Sequence, residues 1–463
     1  MLRLYDSVTG EVRELAMRDP GQFTMYVCGP TVSGSPHLGH GRFSLVWDVV
    51  RRWLSFNGIS VNYVSNITDI DDRIITRARE ELRTELDVAA QYEAEWVSAM
   101  AALGVAAPSH DPHATAFVEE MVAFIVRLLD NDTAYETSDG VYFDVSRVPD
   151  YGVLAGQDVE SLRAGARVET IDEKRSPLDF ALWKKVKAGE PSWPAPFGAG
   201  RPGWHTECVV MSEALLGDGF DLHAGGLDLK FPHHENERAQ AVALGKTFAR
   251  RWGHNGWVMV GNEKMGKSLN NFTTLTELLS STDQRAYRLL VLRSHYRSPI
   301  EVSKSTLADA ERALERLDAF ARRFSLSERA GQTIERRNDS DFVGAGQNLC
   351  DEVSKRLDAD LDTPGALSLI FDALSSANAA ADSGDGAGAS QLAKAISALL
   401  GALGLSLDCS VGEPMASHTE ALVRARDEAR ANRNWAEADR LRDELVADGW
   451  NVEDSSSGTV IRR

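Results

Sequence analysis

The sequence predicts an α/β fold: a parallel sheet assembled in two halves around an insertion, then a helical bundle and a small C-terminal domain. Three observations carry this. The apolar run Met25-Tyr26-Val27 leads through Pro36-His37-Leu38-Gly39-His40 into Phe43, Val46, Trp47, Val50, Trp53 and Leu54, spaced three and four apart. That order reads strand, loop, helix. More than two hundred residues later, Trp257-Val258-Met259-Val260 leads into Lys264-Met265-Gly266-Lys267-Ser268, a second strand feeding a basic loop. Beyond about residue 303 the chain turns to Ala, Leu, Asp, Glu and Arg at helical spacing, which suits a bundle.

Taken in order, residues 1–110 form the first half of the sheet domain. Gly58 ends the helix after His40, Val61-Asn62-Tyr63-Val64 is the next strand, and Thr68-Asp69-Ile70-Asp71 fits a helix N-cap box. Residues 111–202 read as the insertion, with one helix near 112 to 130, short strands such as Val141-Tyr142-Phe143-Asp144, and a loop rich in Pro and Gly from Pro191 to Pro202. Residues 203–302 resume the sheet: Phe220-Asp221-Leu222-His223 reads as a strand, Pro232 as the first residue of a helix, and Trp257 to Val260 as the strand before the basic loop. A ligand site split between two such halves belongs at the carboxyl ends of the strands, at the switch point of a Rossmann-like sheet. Residues 303–410 are the bundle, interrupted near Arg329 to Asp341 and by the flexible stretch Asp382 to Gly388. Residues 411–463 hold a helix pair from about Ser417 that ends in the strand-like turn Gly458-Thr459-Val460-Ile461.

With 463 residues, 43% of them apolar, the chain has material for several cores. The N-terminus carries no apolar stretch long enough for a signal peptide, and no run approaches the roughly twenty apolar residues of a membrane span, so a cytoplasmic protein is expected and no membrane partner. The four cysteines form no CxxC pair and are too few for a disulfide scaffold. A net charge of −19 confines any nucleic-acid site to a local patch. Arg285, Arg288, Arg293 and Arg297 offer one; Arg424, Arg426, Arg430, Arg433, Arg440 and Arg442 offer another, where interleaved acids suit a solvated, salt-bridged face equally well.

The loop 36–40 sits where a strand meets a helix N-terminus, and backbone N–H groups and the helix dipole there attract phosphate oxygens, with Gly39 removing a Cβ from the approach. Lys264 and Lys267 put two ammonium groups beside the Ser268 hydroxyl. Taken singly, these strings read as an ordinary helix start and a solvated basic turn. Together, in this order, His37-Leu38-Gly39-His40 and Lys264-Met265-Gly266-Lys267-Ser268 resemble the HIGH and KMSKS signatures of class I aminoacyl-tRNA synthetases. The resemblance implies that His37, His40, Lys264 and Lys267 are catalytic and that Gly39, Lys267 and Ser268 hold ATP, accompanied by Mg2+, by prepositioned electrostatics. Gly266 departs from the family's serine, which loosens the loop and puts its rate in doubt.

Cys28, Cys208, His233 and Glu237 lie on separated segments, the last two spaced i, i+4 and so on one helix face. They make a plausible zinc set. By spacing alone, Cys28 reads equally as a buried small apolar residue, His233 as a polar helix start and Glu237 as a surface charge. Cys28-Gly29-Pro30-Thr31-Val32, Asn66-Ile67-Thr68-Asp69-Ile70-Asp71-Asp72, Gly203-Trp204-His205-Thr206-Glu207-Cys208 and the run from Gly225 to Glu237 look like cysteinyl-tRNA synthetase. That resemblance implies one zinc per chain on Cys28, Cys208, His233 and Glu237, with the substrate sulfur as a further ligand. It implies an amino-acid pocket from Gly29, Thr68, Trp204 and His223, and Asp228 facing the ATP ribose. Zinc favours a thiolate over an alcohol, whereas an apolar pocket separates small groups by only about 1 to 3 kcal/mol. No editing domain is then required, and the insertion of about ninety residues looks too small for one.

The resemblance therefore implies a cysteine–tRNA ligase, with L-cysteine, ATP and the cysteine tRNA as partners and a monomer expected. The alternative is a cysteine ligase of the mycothiol pathway, acting on glucosaminyl-inositol, and a third reading is a non-catalytic paralogue. Asn434 to Leu445 and Val452 to Thr459 resemble the anticodon-binding end of the synthetase, which the sugar ligase lacks. Trp435 in that segment is assigned to packing, with stacking on a base the other option. His234 is left without a role.

Overall fold

The computed structural model describes residues 1–156, 173–261, 263–264, 273–326, 342–408, 417–455 and 458–462. An antiparallel hairpin, β1 (Arg3–Asp6) and β2 (Glu11–Glu14), precedes β3 (Gln22–Val27), α1 (Leu38–Phe56) and β4 (Ser60–Val64). Helices α2 (Asp72–Glu81) and α3 (Glu85–Ala102) follow. Next come α4 (Val118–Asp130) and an antiparallel sheet of β5 (Ala134–Glu136), β6 (Gly140–Phe143), β7 (Phe180–Lys185) and β8 (Gly200–Pro202). After them, α5 (Trp204–Leu216), β9 (Leu222–Gly226), α6 (Glu235–Ala243) and β10 (Trp252–Asn255) return the chain to the first sheet. The order of that sheet is β10-β9-β3-β4 with every pair parallel, so two strand–helix–strand units meet at β3 and β9. A parallel sheet covered on both faces needs strands that are apolar throughout, and five of the six residues of β3 are buried.

Helix α1 starts on a reciprocal cap: His37 accepts from the His40 N–H and His40 from the His37 N–H. It ends at Asn57, after which Gly58 takes a left-handed φ of 84°. The helix is buried on nearly all sides, so its polar residues need internal partners. The Asp48 carboxylate accepts from Arg52 Nε (2.7 Å) and Arg288 Nη2 (2.9 Å), and all three are buried. Arg42 donates to the carbonyls of Trp257, Tyr296 and Ser298.

Strands β11 (Val258–Val260), β12 (Glu263–Lys264) and β13 (Ile300–Glu301) form a separate three-stranded sheet. The strand before the basic loop is thus not in the four-stranded sheet. Helices α7 (Leu275–Ser281), α8 (Gln284–Leu292), α9 (Lys304–Arg323), α10 (Gly344–Leu357), α11 (Thr363–Asp382) and α12 (Gly386–Ala402) come next, then α13 (Ser417–Ala431), α14 (Trp435–Ala447) and the hairpin β14 (Asn451–Ser455) and β15 (Gly458–Arg462). The chain divides into two compact units, Met1–Leu314 with Arg329–Ser406, and Glu315–Glu328 with Leu407–Arg463. In the second, Leu422, Val423, Leu441, Leu445, Trp450 and Ile461 make the core between the helix pair and the hairpin. Among the described residues no helix is long and apolar enough to cross a membrane.

Several local expectations differ from the structure. Asp71, not Thr68, caps α2, accepting from the Arg73 N–H. Pro232 follows a cis peptide bond and lies in a π-helical turn (Lys230–His234), kinked at Phe231, that runs directly into α6 at Glu235. The Pro191 to Pro202 stretch ends as strand β8, and the residues between α11 and α12 are a short turn in which Asp385 caps the second helix. The interruption near Arg329 to Asp341 lies outside the described residues, as does the boundary near residue 410. The arginines after the basic loop are each engaged with a neighbour, Arg288 buried and Arg293 and Arg297 exposed. Arg288 is buried on Asp48, Arg285 pairs with Asp283, Arg297 with Asp360, and Arg293 donates to the Asp309 carbonyl.

Candidate active site

Four segments converge at the carboxyl ends of β3, β4 and β9. Cys28 directly follows β3, Asn66 and Thr68 follow β4, and Asp228 follows β9 in an exposed position. Gly29 lets the first two meet. Its N–H donates to Asn66 Oδ1 (2.9 Å), and a Cβ on it would stand 1.7 Å from the Asn66 carbonyl oxygen. The Asn66 amide donates to Thr68 Oγ1 (3.1 Å), whose hydroxyl donates to the buried Glu207 (2.9 Å).

Helix α5 brings Cys208, and the turn into α6 brings His233 and Glu237. One ligand atom each from Cys28, Cys208, His233 and Glu237 lie within 4.8 Å of one another, all four residues buried. Cys28 Sγ is 3.8 Å from Cys208 Sγ and 3.5 Å from Glu237 Oε1, and Cys208 Sγ is 3.7 Å from His233 Nε2. Tetrahedral ligands with bonds of about 2.0–2.3 Å stand roughly 3.3–3.8 Å apart, so these three separations fit a zinc-sized ion. His233 Nε2 is closer to Glu237 Oε1, at 2.8 Å.

The same groups hold one another's charge. The hydrogen bond from Cys28 brings the Cys208 thiol down to about 6 against its burial, while burial and the neighbouring sulfur push Cys28 well up. Burial would lower His233, but the Glu237 carboxylate and the Cys208 sulfur overrule it and raise it to about 10. Burial would likewise raise Glu237, yet His223 and His233 keep its carboxyl well below the usual range.

A second layer orients the four. His205 Nδ1 is 2.9 Å from His233 Nδ1, which leaves Nε2 of His233 toward the sulfurs. Trp204 stacks on His233, centroids 4.0 Å apart and planes at 16°, with the Arg73 guanidinium 5.7 Å from the Trp204 ring. His223, fully buried, places Nε2 2.6 Å from Glu237 Oε2 and Nδ1 3.1 Å from the Tyr26 carbonyl. A partner on the far nitrogen or oxygen of a ligand fixes its tautomer and direction.

At the nucleotide loop, the rings of His37 and His40 stack with centroids 3.6 Å apart. Each Nδ1 accepts a backbone N–H at 3.3 Å, which assigns the proton of a neutral ring to Nε2. Gly39 lies in the first turn of α1 between them. His37 bridges Thr274, and the Leu275 N–H donates to the Pro36 carbonyl, so the segment just past the basic loop lies against the first one. The backbone of Lys264 pairs with Met259 in β12. Gly266, Lys267 and Ser268 lie outside the described residues.

Fold and site together define a class I aminoacyl-tRNA synthetase. The family model for the class I (C) catalytic domain of tRNA synthetases matches residues 14–312, a DALR domain matches 352–408, and the cysteinyl-tRNA ligase anticodon binding domain matches 414–462. The methionyl-tRNA synthetase of Mycobacterium tuberculosis, solved with methionyl-adenylate, shares the fold at a TM-score of 0.59 and 14% identity, over 82% of this chain and 89% of that one. The cysteine–tRNA ligase of Alkalilimnicola ehrlichii is 44% identical over 479 residues and that of Chromobacterium violaceum 43% over 474, each covering 100% of both chains. This chain belongs to the cysteine–tRNA ligase family.

Sequence reasoning passed over Asn66, His205 and Glu207 as functional groups. Each stands inside one of the quoted motifs, one to three residues from a residue that was singled out, and adjacency was the available signal.

Proposed function

We propose that the chain joins L-cysteine to the cysteine tRNA, and that a zinc ion on Cys28, Cys208, His233 and Glu237 selects the substrate by its sulfur. The buried tetrad at the carboxyl end of the split sheet carries this reading. The ion, when bound, supplies a soft Lewis acid that favours a thiolate over an alcohol. The protein's groups do the rest. Trp204 and His205 hold His233, and His223 holds Glu237, so the donors point inward. Gly29, Thr68, Trp204 and His223 bound the amino-acid pocket, and Asp228 faces the ribose of ATP, which binds with Mg2+. His37 and His40 turn Nε2–H groups toward the phosphates, and Lys264, Lys267, Gly39 and Ser268 complete the clamp.

In the first step a carboxylate oxygen of cysteine bonds to the α-phosphorus and pyrophosphate leaves. Charge that builds on the leaving phosphates meets donors already in place. In the second step the 3′-terminal ribose hydroxyl bonds to the adenylate carbonyl and AMP leaves. The anticodon-domain match at 414–462 supports tRNA over a sugar as acceptor. Residues 1–110 and 203–302 then form the catalytic domain, 111–202 its connective insertion, 303–410 the bundle and 411–463 the anticodon domain of a cytoplasmic monomer.

Metal analysis combined with ATP–pyrophosphate exchange tests the proposal. One zinc per chain is expected, with exchange driven by cysteine and not by serine. Cys208→Ala and His233→Ala should each lose the discrimination of cysteine from serine. Less than about half an equivalent of zinc, or undiminished cysteine selectivity in Cys208→Ala, would overturn the filter.

A further inference from the structure

His234 is the buried group that the site above leaves unused. It is adjacent to His233 but faces another way: its ring stacks on His223, centroids 4.4 Å apart and planes at 30°. Its Nδ1 is 2.9 Å from His254 Nε2, and His254 Nδ1 is 2.7 Å from Ser7 Oγ. Its Nε2 is fully buried and has no hydrogen-bond partner among the described residues. Gly225 keeps the space beside that nitrogen clear, since a Cβ there would stand 3.3 Å from Nε2 and 3.1 Å from the ring carbon next to it. Buried polar atoms are rarely left unsatisfied, and one that is asks for a ligand.

The surroundings supply co-ligands. One ligand atom each from Cys28, His223, His234 and Glu237 lie within 4.8 Å of one another, and all four residues are buried. The tautomers agree with metal binding. With His234 Nδ1–H donating to His254 Nε2, and His254 Nδ1–H to Ser7 Oγ, the lone pair of His234 Nε2 is free. His223 Nδ1–H donates to the Tyr26 carbonyl, and its Nε2 stands 2.6 Å from Glu237 Oε2, the co-ligand with which it would share the ion. One thiolate, two imidazoles and a carboxylate form a donor set for Zn2+ or Co2+.

We propose that Cys28, His223, His234 and Glu237 form a second binding position for a zinc-class divalent cation. It excludes the first position, because Cys28 and Glu237 belong to both, so the chain still holds one ion. The inference rests on the metal reading of the site given above. An ion in the second position has one thiolate ligand instead of two, which separates the positions by spectrum.

Co2+ alone is the probe, added to chelator-treated full-length protein. Wild type should bind one equivalent with the charge-transfer intensity of two thiolates. Cys208→Ala should still bind one equivalent, with about half that intensity. In the Cys208→Ala background, His234→Ala should weaken binding by roughly 10- to 100-fold, whereas His233→Ala should leave it unchanged. Cys208→Val, which fills the volume of the thiol, goes through the same measurements, so that misfolding of one variant does not decide the matter. No cobalt on either folded Cys208 variant, or loss of binding with His233→Ala and not with His234→Ala, overturns the second position while leaving the first intact. No cobalt on wild type overturns both.

Discussion

Trp204 reaches the proposed metal ligands without donating an atom. Its ring covers His233, and with His205 on the opposite nitrogen it leaves the imidazole one orientation. An aromatic pair of this kind is worth about 0.5–1.5 kcal/mol, so Trp204→Ala should weaken zinc binding by roughly two- to tenfold, while Trp204→Phe retains most of the affinity. Competition with a chelating dye measures both; an affinity unchanged in Trp204→Ala would assign the ring to the substrate alone. Residue types at this scale were legible. Two thiols, an imidazole and a carboxylate made a candidate metal set, the i, i+4 spacing of His233 and Glu237 sets those two on one face, and the fold brings all four together. Orientation was not legible. Nothing in the string His233-His234 tells which ring turns to Cys208 and which to His254, because those partners lie on other segments that only the fold brings near.

Helix α1 shows the same limit for a whole element. Its apolar spacing predicts a helix, but not that Asp48 would be buried between two arginines, one of them from α8. Removing one member of a buried ion cluster leaves uncompensated charge and costs about 3–5 kcal/mol. Asp48→Asn should therefore lower the free energy of unfolding by that amount, read from urea titration. Burial would raise the Asp48 carboxyl, but Arg288 and Arg52 overrule it and hold it below its ordinary value. A group depressed on folding adds stability above its unfolded pKa, about 3.9, and loses it as pH falls through the folded value. Wild type should thus lose stability more steeply than Asp48→Asn below about pH 4, and the two curves should run parallel from pH 5 to 7. Parallel curves throughout would show that Asp48 carries no linked proton. The cap of α2 was misplaced for a related reason: Thr68 has the chemistry of a cap but spends its hydroxyl on Glu207.

At the scale of the molecule, the surfaces offered to RNA did not follow from composition. Of the two readings left open for the C-terminal arginines, the ion pairs belong to the salt-bridged face: Arg426 and Arg430 pair with Asp454, and Arg440 with Glu437 and Glu444. Trp435, assigned to packing, is instead 60% exposed at the first position of α14. Its surroundings explain the difference, since Trp450 and Leu441 already fill the small core. An exposed tryptophan suits stacking on an unpaired base, worth about 1–3 kcal/mol. Trp435→Ala should therefore reduce kcat/KM for charging of the cysteine tRNA by roughly 5- to 150-fold and leave pyrophosphate exchange unchanged. Loss of both activities together would return the residue to a structural role.

The proposed metal ligands also impose a timetable on synthesis. Cys28 emerges from the ribosome early, but Cys208, His233 and Glu237 come last among the ligands, and β3 cannot pair with β9 before then. At about 5–20 residues per second, the first thiol waits roughly 10–40 s for its partners. During that interval the N-terminal half carries a single donor and no site, so it cannot capture an ion that the finished protein would hold wrongly. The long separation that hides the tetrad from a reader of the sequence is, for the growing chain, a delay line that ties metal uptake to the closing of the sheet.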